Sequence, residues 1–565
     1  MTKRLKLLLL KNQKYKLLLP FFSEMFFWLK KIKNNQALPV LDSSMEGLLF
    51  KLERAEKNLK INFVTGYGLG THYLKLEPVL IKTLIARGHS VTSLICGKAI
   101  GCCEFNADCG ENSSDVPFKF RRGVTLNARS DFGQKCVRNV ERAYEKLGIE
   151  QRSLNGVYVL SNEHMRAVKE VTELLSMSSF SELREFKYRE VAVGEEAFAS
   201  TLRASFMGDV SHRLGNVALF LEMLKSAMKL VDIYYQEFTD NKPDRVVLIH
   251  GIYLTHGIPT KVATKLGIPV IVLGGGGIRK NTLIGSHQET YHKSLVNESN
   301  SSWEGIQLTE EERSRVINYA TQKRNNGNAV DYVSYHPNPN SNLQQIEKEL
   351  SCSFEKFDKI VTLYTNVLWD GQILYESNAY NGVVEWVIDT AEIARNSPET
   401  LFIVRIHPAE VKTANPSLQP IKDELDRELK GKYPDNFKIV TPFSDIDSYT
   451  LAQLSDVNVI YGTKMGLEIA LLKKYLIVVG ESFSRNKGYG TDVSTPQEYR
   501  EALNTILSDE EISTRYEKAL KYANYFYFRR MLDIPSDNEL KSGKLKGLST
   551  ILDGIELETE FVGPR

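Results

Sequence analysis

Cysteine is scarce in this chain. Six occur in 565 residues, too few to staple a scaffold of this size, and that economy fits a reducing compartment. Five of them, Cys96, Cys102, Cys103, Cys109 and Cys136, crowd one region, yet no C-x2-C pair is present. A zinc spacing is therefore absent, and small buried apolar side chains are the expectation there. Long apolar runs are missing too. The richest early stretch, Leu17–Leu29, has 13 residues and is broken by Pro20 and Glu24, short of the roughly 20 that span a bilayer. Leu7–Leu10 after a basic start superficially suits a secretory signal, but no small-residue cleavage site follows and lysines resume at once. The body also lacks a dominant charge. Of a formal net charge of +2, residues 1–34 carry +8 (nine Lys/Arg against Glu24), which leaves −6 for the other 531 residues. This excludes a nucleic-acid footprint on the body. It leaves a basic, Leu/Phe/Trp-rich arm that suits an anionic membrane surface, or a helix packed on the body with solvated lysines.

What is present describes a globular α/β protein. Hydrophobic residues make up 42% and charged residues 25%, and the length calls for two large domains. After residue 55 the pattern is strand, turn, helix, repeated. Lys60–Thr65 alternates and is β-rich, a glycine-rich turn and a helical pattern follow, and Ser90–Ile95 is the next strand: a βαβ unit. Residues 150–240 read as mostly helical, ending in the amphipathic run Leu214–Phe238. Strands return at Arg245–His250 and Pro269–Leu273, with a short helix over Thr260–Leu266. Residues 322–352 are polar and rich in Asn, Pro and Gly, a linker or long loop. Beyond them strands at Lys359–Tyr364, Thr400–Ile406, Asn436–Thr441, Asp456–Tyr461 and Tyr475–Val479 alternate with helices at Val383–Arg395, Pro420–Leu429, Ser448–Leu454, Met465–Leu472 and Thr495–Leu507. The alternation implies parallel, doubly wound sheets. The expected organisation is a basic arm (1–55), a Rossmann-like domain with a helical insertion (56–330), a linker (331–353), a second Rossmann-like domain (354–525) and a tail (526–565). Within it, the aromatic run Tyr522–Phe528 suits a helix packing back on the first domain.

Ligands of open parallel sheets bind beyond the carboxyl ends of the strands, so the residues there are the candidates. Gly66-x-Gly68-x-Gly70-Thr71-His72 misplaces the third glycine of a dinucleotide fingerprint, and Cys96-Gly97-Lys98 stands where an acidic residue would bind ribose. The loop instead suits close approach of a substrate to the backbone, or a tight turn. His250 and His256 flank the loop after the next strand, where an imidazole serves as a general base near neutral pH. Gly274–Gly277, including Gly275, with Arg279 nearby, suits an anion cradle or a flexible turn. Arg405 and His407 alternate onto one face at a strand end that Pro408 terminates. A charged Arg in TLFIVRIH needs an anion or an internal acid such as Glu410 or Glu468. Finally, Gly462, Thr463, Lys464 and Gly466 form a small-residue turn into a helix whose first N–H groups suit phosphate, with Glu468 placed for ribose hydroxyls; capping and packing explain the same residues.

The segments RIHPAE (405–410), YGTKMGLEIALLKKYLIVVGE (461–481) and Gly488-Tyr489-Gly490 resemble the carboxyl-terminal half of bacterial capsular polysaccharide biosynthesis proteins. TNVLWD (365–370, ending in Asp370) and GYGLGTHYLKLEP (66–78) are similar to members of the same broad group. The resemblance spans roughly residues 60–530, with the specific motifs in the second half. It implies a glycosyltransferase of two-Rossmann, GT-B type, some members transferring Kdo from its CMP-activated form. The second domain would grip a nucleotide-sugar donor through Arg405, His407, Thr463, Gly466 and Glu468. Some relatives close a cysteine patch with C-x-x-C; here Asn139 follows Cys136 at that place, and no metal is carried over. The expectation is transfer from a nucleotide-sugar to a glycan or lipid-linked acceptor, with His72, His250 or His256 as base, no obligatory cofactor, and the basic arm on the cytoplasmic membrane face. The alternatives are a nucleotide-sugar epimerase of the same architecture and a non-catalytic assembly or export factor.

Overall fold

The computed structural model describes residues 54–65, 73–105, 132–145, 147–155, 162–177, 180–274, 279, 281–325, 339–370, 377–413, 416–534 and 547–563. The basic arm, Gly68, Gly70, His72 and Gly275 lie outside the described residues. No helix among the described residues is long and apolar enough to cross a membrane.

Two sheets organise the chain. The first contains β1 (Lys60–Thr65), β2 (Ser90–Ile95), β3 (Glu150–Ser153), β4 (Arg245–Ile249), β5 (Val270–Gly274), β6 (Thr282–His287) and a strand from the far end of the sequence, β13 (Leu532–Asp533). Their order is β13-β6-β5-β4-β1-β2-β3. Neighbours from β5 to β3 are parallel, whereas β6 and β13 extend the edge antiparallel. The second sheet contains β7 (Lys359–Tyr364), β8 (Thr400–Arg405), β9 (Phe437–Val440), β10 (Val457–Ile460), β11 (Tyr475–Val478) and β12 (Thr491–Asp492), ordered β9-β8-β7-β10-β11-β12 and parallel throughout. Both are therefore doubly wound: the chain moves outward from a first strand, returns, and moves outward on the other side. Central strands are buried on both faces, as in KIVTLY of β7, whose last five residues are all covered. Their β-branched runs are what a sheet sandwiched by helices selects.

The helices supply those covers. On the first sheet they include α1 (Tyr73–Ala86), α2 (Phe132–Glu145), α3 (Asn162–Met177), α4 (Val193–Ser205), α5 (Val217–Asp240), α6 (Tyr253–Lys265) and α7 (Tyr291–Asn297). In chain order there follow α8 (Glu310–Asn325), α9 (Leu343–Leu350), α10 (Val383–Arg395), α11 (Ile421–Glu428), α12 (Ser448–Leu454), α13 (Met465–Ala470), α14 (Pro496–Leu503), α15 (Asp509–Tyr525) and α16 (Leu548–Leu557). Part of the polar stretch after residue 338 is ordered against the second sheet: Asn340 bridges Ile446, and Ile346 and Leu350 of α9 are buried with Ile360, Leu401 and Ile403. The end of the chain returns to the first domain. After a π-turn at Phe526–Arg530, β13 joins β6, and α16 buries Ile551 and Ile555 with Ile61, Phe63 and Leu80. Arg87 and His89 hold Glu556 of α16 at 2.6 and 3.0 Å. Cys102 is fully buried and disulfide-bonded, a departure from the expectation of reduced thiols throughout.

Candidate functional site

A doubly wound sheet has one place where neighbouring strands send their chains to opposite faces, and a crevice opens there at the carboxyl ends. In the first domain it lies between β1 and β4, in the second between β7 and β10. After β4 the backbone is forced: His250, Gly251 and Tyr253 have φ of +59°, +70° and +65°. The glycine accepts this freely; a histidine and a tyrosine in the left-handed region do not, and such departures concentrate where a side chain must be aimed. The His250 N–H donates to Leu273 O at 3.2 Å, and Ser200 of α4 caps the start of α6 by accepting from Leu254 N–H at 2.9 Å. That bend places His250 close enough to His256 and His292 for its charge to bear on both. Burial pushes His250 down to about 4, with Arg203 adding to the effect. His256 and His292 are pushed down to about 3, by burial first and then by His250. All three are neutral at neutral pH.

A carboxylate stands behind His256. Glu104, from the loop after β2, is fully buried and accepts from the Thr255 hydroxyl, which in turn lies 3.2 Å from His256 Nδ1. With the hydroxyl proton directed at the carboxylate, the Thr255 oxygen accepts, so Nδ1 carries the imidazole proton and Nε2 its lone pair. Burial raises Glu104 to about 7, with Glu196 nearby adding to the effect. Glu104 is thus poised to take a proton at neutral pH.

In the second domain Asn366 ties the two turns of the crevice together. Its Nδ2 donates to Gly462 O at 3.2 Å and to Asp370 Oδ2 at 3.4 Å. The His407 N–H donates to Thr365 Oγ1 at 3.1 Å, while His407 Nδ1 accepts from the Ala409 N–H at 3.0 Å, which puts the ring proton on Nε2. Burial pushes His407 down to about 3, with the charges of Lys464 and Arg405 acting the same way. Thr463 is buried beside Lys464, and its Oγ1 accepts from Met465 N–H at 3.4 Å.

Several expected donor ligands have other work. Arg405 is only 2% exposed and directs Nη1 at Thr441 O (2.9 Å), Nη2 at Ser444 O (3.4 Å) and Nε at Ser448 Oγ (3.4 Å). Its charge is met by the carbonyls of the loop after β9, which corrects the expectation that it meets a ligand. Glu410 accepts from Ile421 N–H at 2.7 Å and so caps α11. Glu468 accepts from Tyr449 OH at 2.7 Å and pairs with the buried Lys323 of α8 rather than standing free for a ribose. Gly466 answers packing: a Cβ there would sit 2.6 Å from Ile460 Cδ1 and still nearer Ser484 Oγ. Arg279 holds the returning chain, donating to Met531 O at 3.1 Å and pairing with Asp533 at 2.9 Å, and not an anion cradle.

The two crevices adjoin. Arg203, in the last turn of α4, lies 4.5 Å over the Trp369 ring of the turn after β7. Gly208 lies so close to Leu368 that a Cβ would overlap it, and its N–H donates to Gln419 Oε1 at 2.8 Å. Sequence reasoning missed Glu104, Thr255, Asn366 and Arg203 as site residues. Glu104 is masked by its cysteine neighbours, Arg203 reads as an ordinary helix-end cation, and only Asn366, directly after a strand, carried a usable signal. Among the described residues no cluster of three His, Cys, Asp or Glu side chains has the form of a metal site.

No protein-family model matches the sequence, and no curated protein matches it. Solved structures similar to it include two KpsC proteins of Thermosulfurimonas dismutans. The beta Kdo 2,7 transferase is 15% identical, over 58% of this chain and 90% of that one, at a TM-score of 0.33. The beta Kdo 2,4 transferase is 14% identical, over 49% and 79%, at 0.30. A UDP-GlcNAc 2-epimerase from Neisseria meningitidis bound to UDP-GlcNAc is 11% identical, over 87% and 99%, at 0.28. At this level of similarity no residue role passes from them to this chain. Its α/β architecture of two Rossmann-like domains, one on a sheet with a parallel body and an antiparallel edge and one on a fully parallel sheet, GT-B-like in layout, stands on the strand orders above.

Proposed function

We propose that the protein is a glycosyltransferase that moves a sugar from a nucleotide-activated donor to a glycan or lipid-linked acceptor in the assembly of a surface polysaccharide. The observation that carries this reading is the adjacency of two chemically different crevices: neutral imidazoles backed by a carboxylate in one, and a turn of small residues with Lys464 in the other. The first suits an acceptor hydroxyl. As the acceptor oxygen bonds to the sugar and the sugar–phosphate bond breaks, His256 Nε2 receives the hydroxyl proton. Its Nδ1 proton passes to Thr255, whose own proton passes to Glu104. The relay ends with both groups uncharged, which matters because an imidazolium is disfavoured in so buried a place. The second crevice receives the departing nucleotide phosphate at Gly462, Thr463 and Lys464, where backbone N–H groups and an ammonium offset the developing charge. The basic segment 1–34 would hold the enzyme on an anionic cytoplasmic membrane face, and no resident cofactor enters this scheme.

A thermal-shift panel of CMP-, UDP-, GDP- and CDP-linked sugars tests the reading. One member should raise the melting temperature by mass action; a flat response across the panel overturns it. Incubation with the stabilising sugar nucleotide alone separates the runner-up, because an epimerase forms the epimer without any acceptor.

A further inference from the structure

A half-buried guanidinium is costly unless an anion, a carbonyl or a ring face meets it. Arg405, Arg279 and Arg485 are met by protein oxygens; Arg485, for example, directs Nη2 at Val493 O at 2.7 Å. Arg203 is different. It lies at the boundary between the domains, and its contacts are the ring faces of Trp369 at 4.5 Å and Phe206 at 5.9 Å. Among the described residues neither a carboxylate nor a carbonyl pairs with it.

The platform beneath it is fixed. Trp369 Nε1–H donates to Ser417 Oγ at 3.0 Å, and Phe206 packs edge-on against the indole at 5.1 Å. A guanidinium stacked on such a surface keeps its N–H groups in the plane of the stack, directed outward, where they match a planar or tetrahedral oxyanion. His250, a donor at either nitrogen according to tautomer, is near enough to feel the Arg203 charge.

We infer that Arg203, seated on Trp369, is an oxyanion receptor that takes a phosphate or carboxylate of the ligand at the junction of the two domains. Because its cation and Phe206 come from the first domain and Trp369 from the second, an occupied receptor also fixes how the two crevices face one another. The identity of the ligand as a sugar nucleotide rests on the function proposed above; the receptor itself does not.

Calorimetric titration of the full chain tests it. The probes are the free nucleotides and sugar nucleotides of the panel, inorganic pyrophosphate, and glucuronate as a sugar carboxylate. Arg203→Ala and Arg203→Gln should weaken the probe that binds by roughly 10- to 100-fold, the usual worth of a charge-assisted pair. Arg203→Lys, which keeps charge without the planar fork, should fall between them and wild type. An effect on pyrophosphate and nucleotides identifies phosphate as the anion; an effect on glucuronate and sugar-acid nucleotides alone identifies carboxylate. Affinity for every probe that binds, sugar nucleotides and glucuronate included, unchanged in all three variants overturns the receptor and leaves the proposed function standing. Pyrophosphate or glucuronate binding that depends on Arg203, with no sugar nucleotide bound, overturns the proposed function and leaves the receptor. If none of the probes binds wild type, both fall. Since the contacts of Arg203 among the described residues are ring faces, unliganded melting temperatures should stay close to wild type. Should Arg203→Ala fail to fold, Arg203→Gln and Arg203→Lys decide the matter.

Discussion

Arg405 and Arg203 are the same side chain in opposite situations. Arg405 is buried against two carbonyls of the loop after β9 and the Ser448 hydroxyl at the start of α12, so its removal strands carbonyls that water cannot reach. Arg405→Ala should lower unfolding free energy by about 3 kcal/mol or more, read as a shifted denaturation midpoint. A variant as stable as wild type would contradict the structural role. From sequence the two arginines could not be ranked: a cation at a strand end looks like a ligand contact, and one inside a helix looks like solvent. The difference lies in where the loop after β9 folds, which local pattern does not encode. The buried histidines set a second expectation. His250 is pushed down to about 4, and His256, His292 and His407 to about 3, against 6.5 in the open chain. Below pH 6.5 the unfolded chain therefore binds more protons, and stability falls as the pH falls toward 4. Glu77 and Glu104, at about 7 against 4.5, act with the opposite sign: their contribution is lost as pH rises from 4.5 through 7. Denaturation at pH 5 and pH 7 should show His292→Gln losing less stability than wild type on acidification. Glu104→Gln should lose less on going to pH 8. An unchanged pH dependence in both would show that neither group is buried as described.

At the level of elements, the strands were the legible part. β1, β2 and β7 occupy Lys60–Thr65, Ser90–Ile95 and Lys359–Tyr364, as their β-branched runs indicate. Parallel strands covered on both faces have few competing explanations. What escaped were pieces whose stability is borrowed: β12 and β13 have two residues each, and the start of α15, ahead of the aromatic run at Tyr522–Phe528, carries its signal in a capping box at Ser508 and Glu511. The turn at 461–466 was visible, but its glycines divide by cause. Gly466 lets α13 approach Ser484 and Ile460. Gly466→Ala should cost about 1–3 kcal/mol through overpacking, and Ser484→Gly should recover part of that loss. A Gly466→Ala protein of wild-type stability but altered nucleotide affinity would instead return Gly466 to the ligand site.

On the scale of the whole molecule, the chain enters the second domain after α7 and returns through the π-turn at Phe526–Arg530 to place β13 and α16 on the first sheet. The domains are joined by this double crossing, by Arg213 with Glu424 at 2.8 Å, and by the Arg203–Trp369 stack. The joint brings both crevices to one place, and the central claim is that a nucleotide-bearing ligand occupies them together. Hydrogen–deuterium exchange of the full chain, with and without the sugar nucleotide that stabilises it most, tests that claim directly. Slowed exchange is expected in the turns at 250–254, 365–367 and 461–465 together. Protection confined to one domain, or lying away from all three turns, would contradict it.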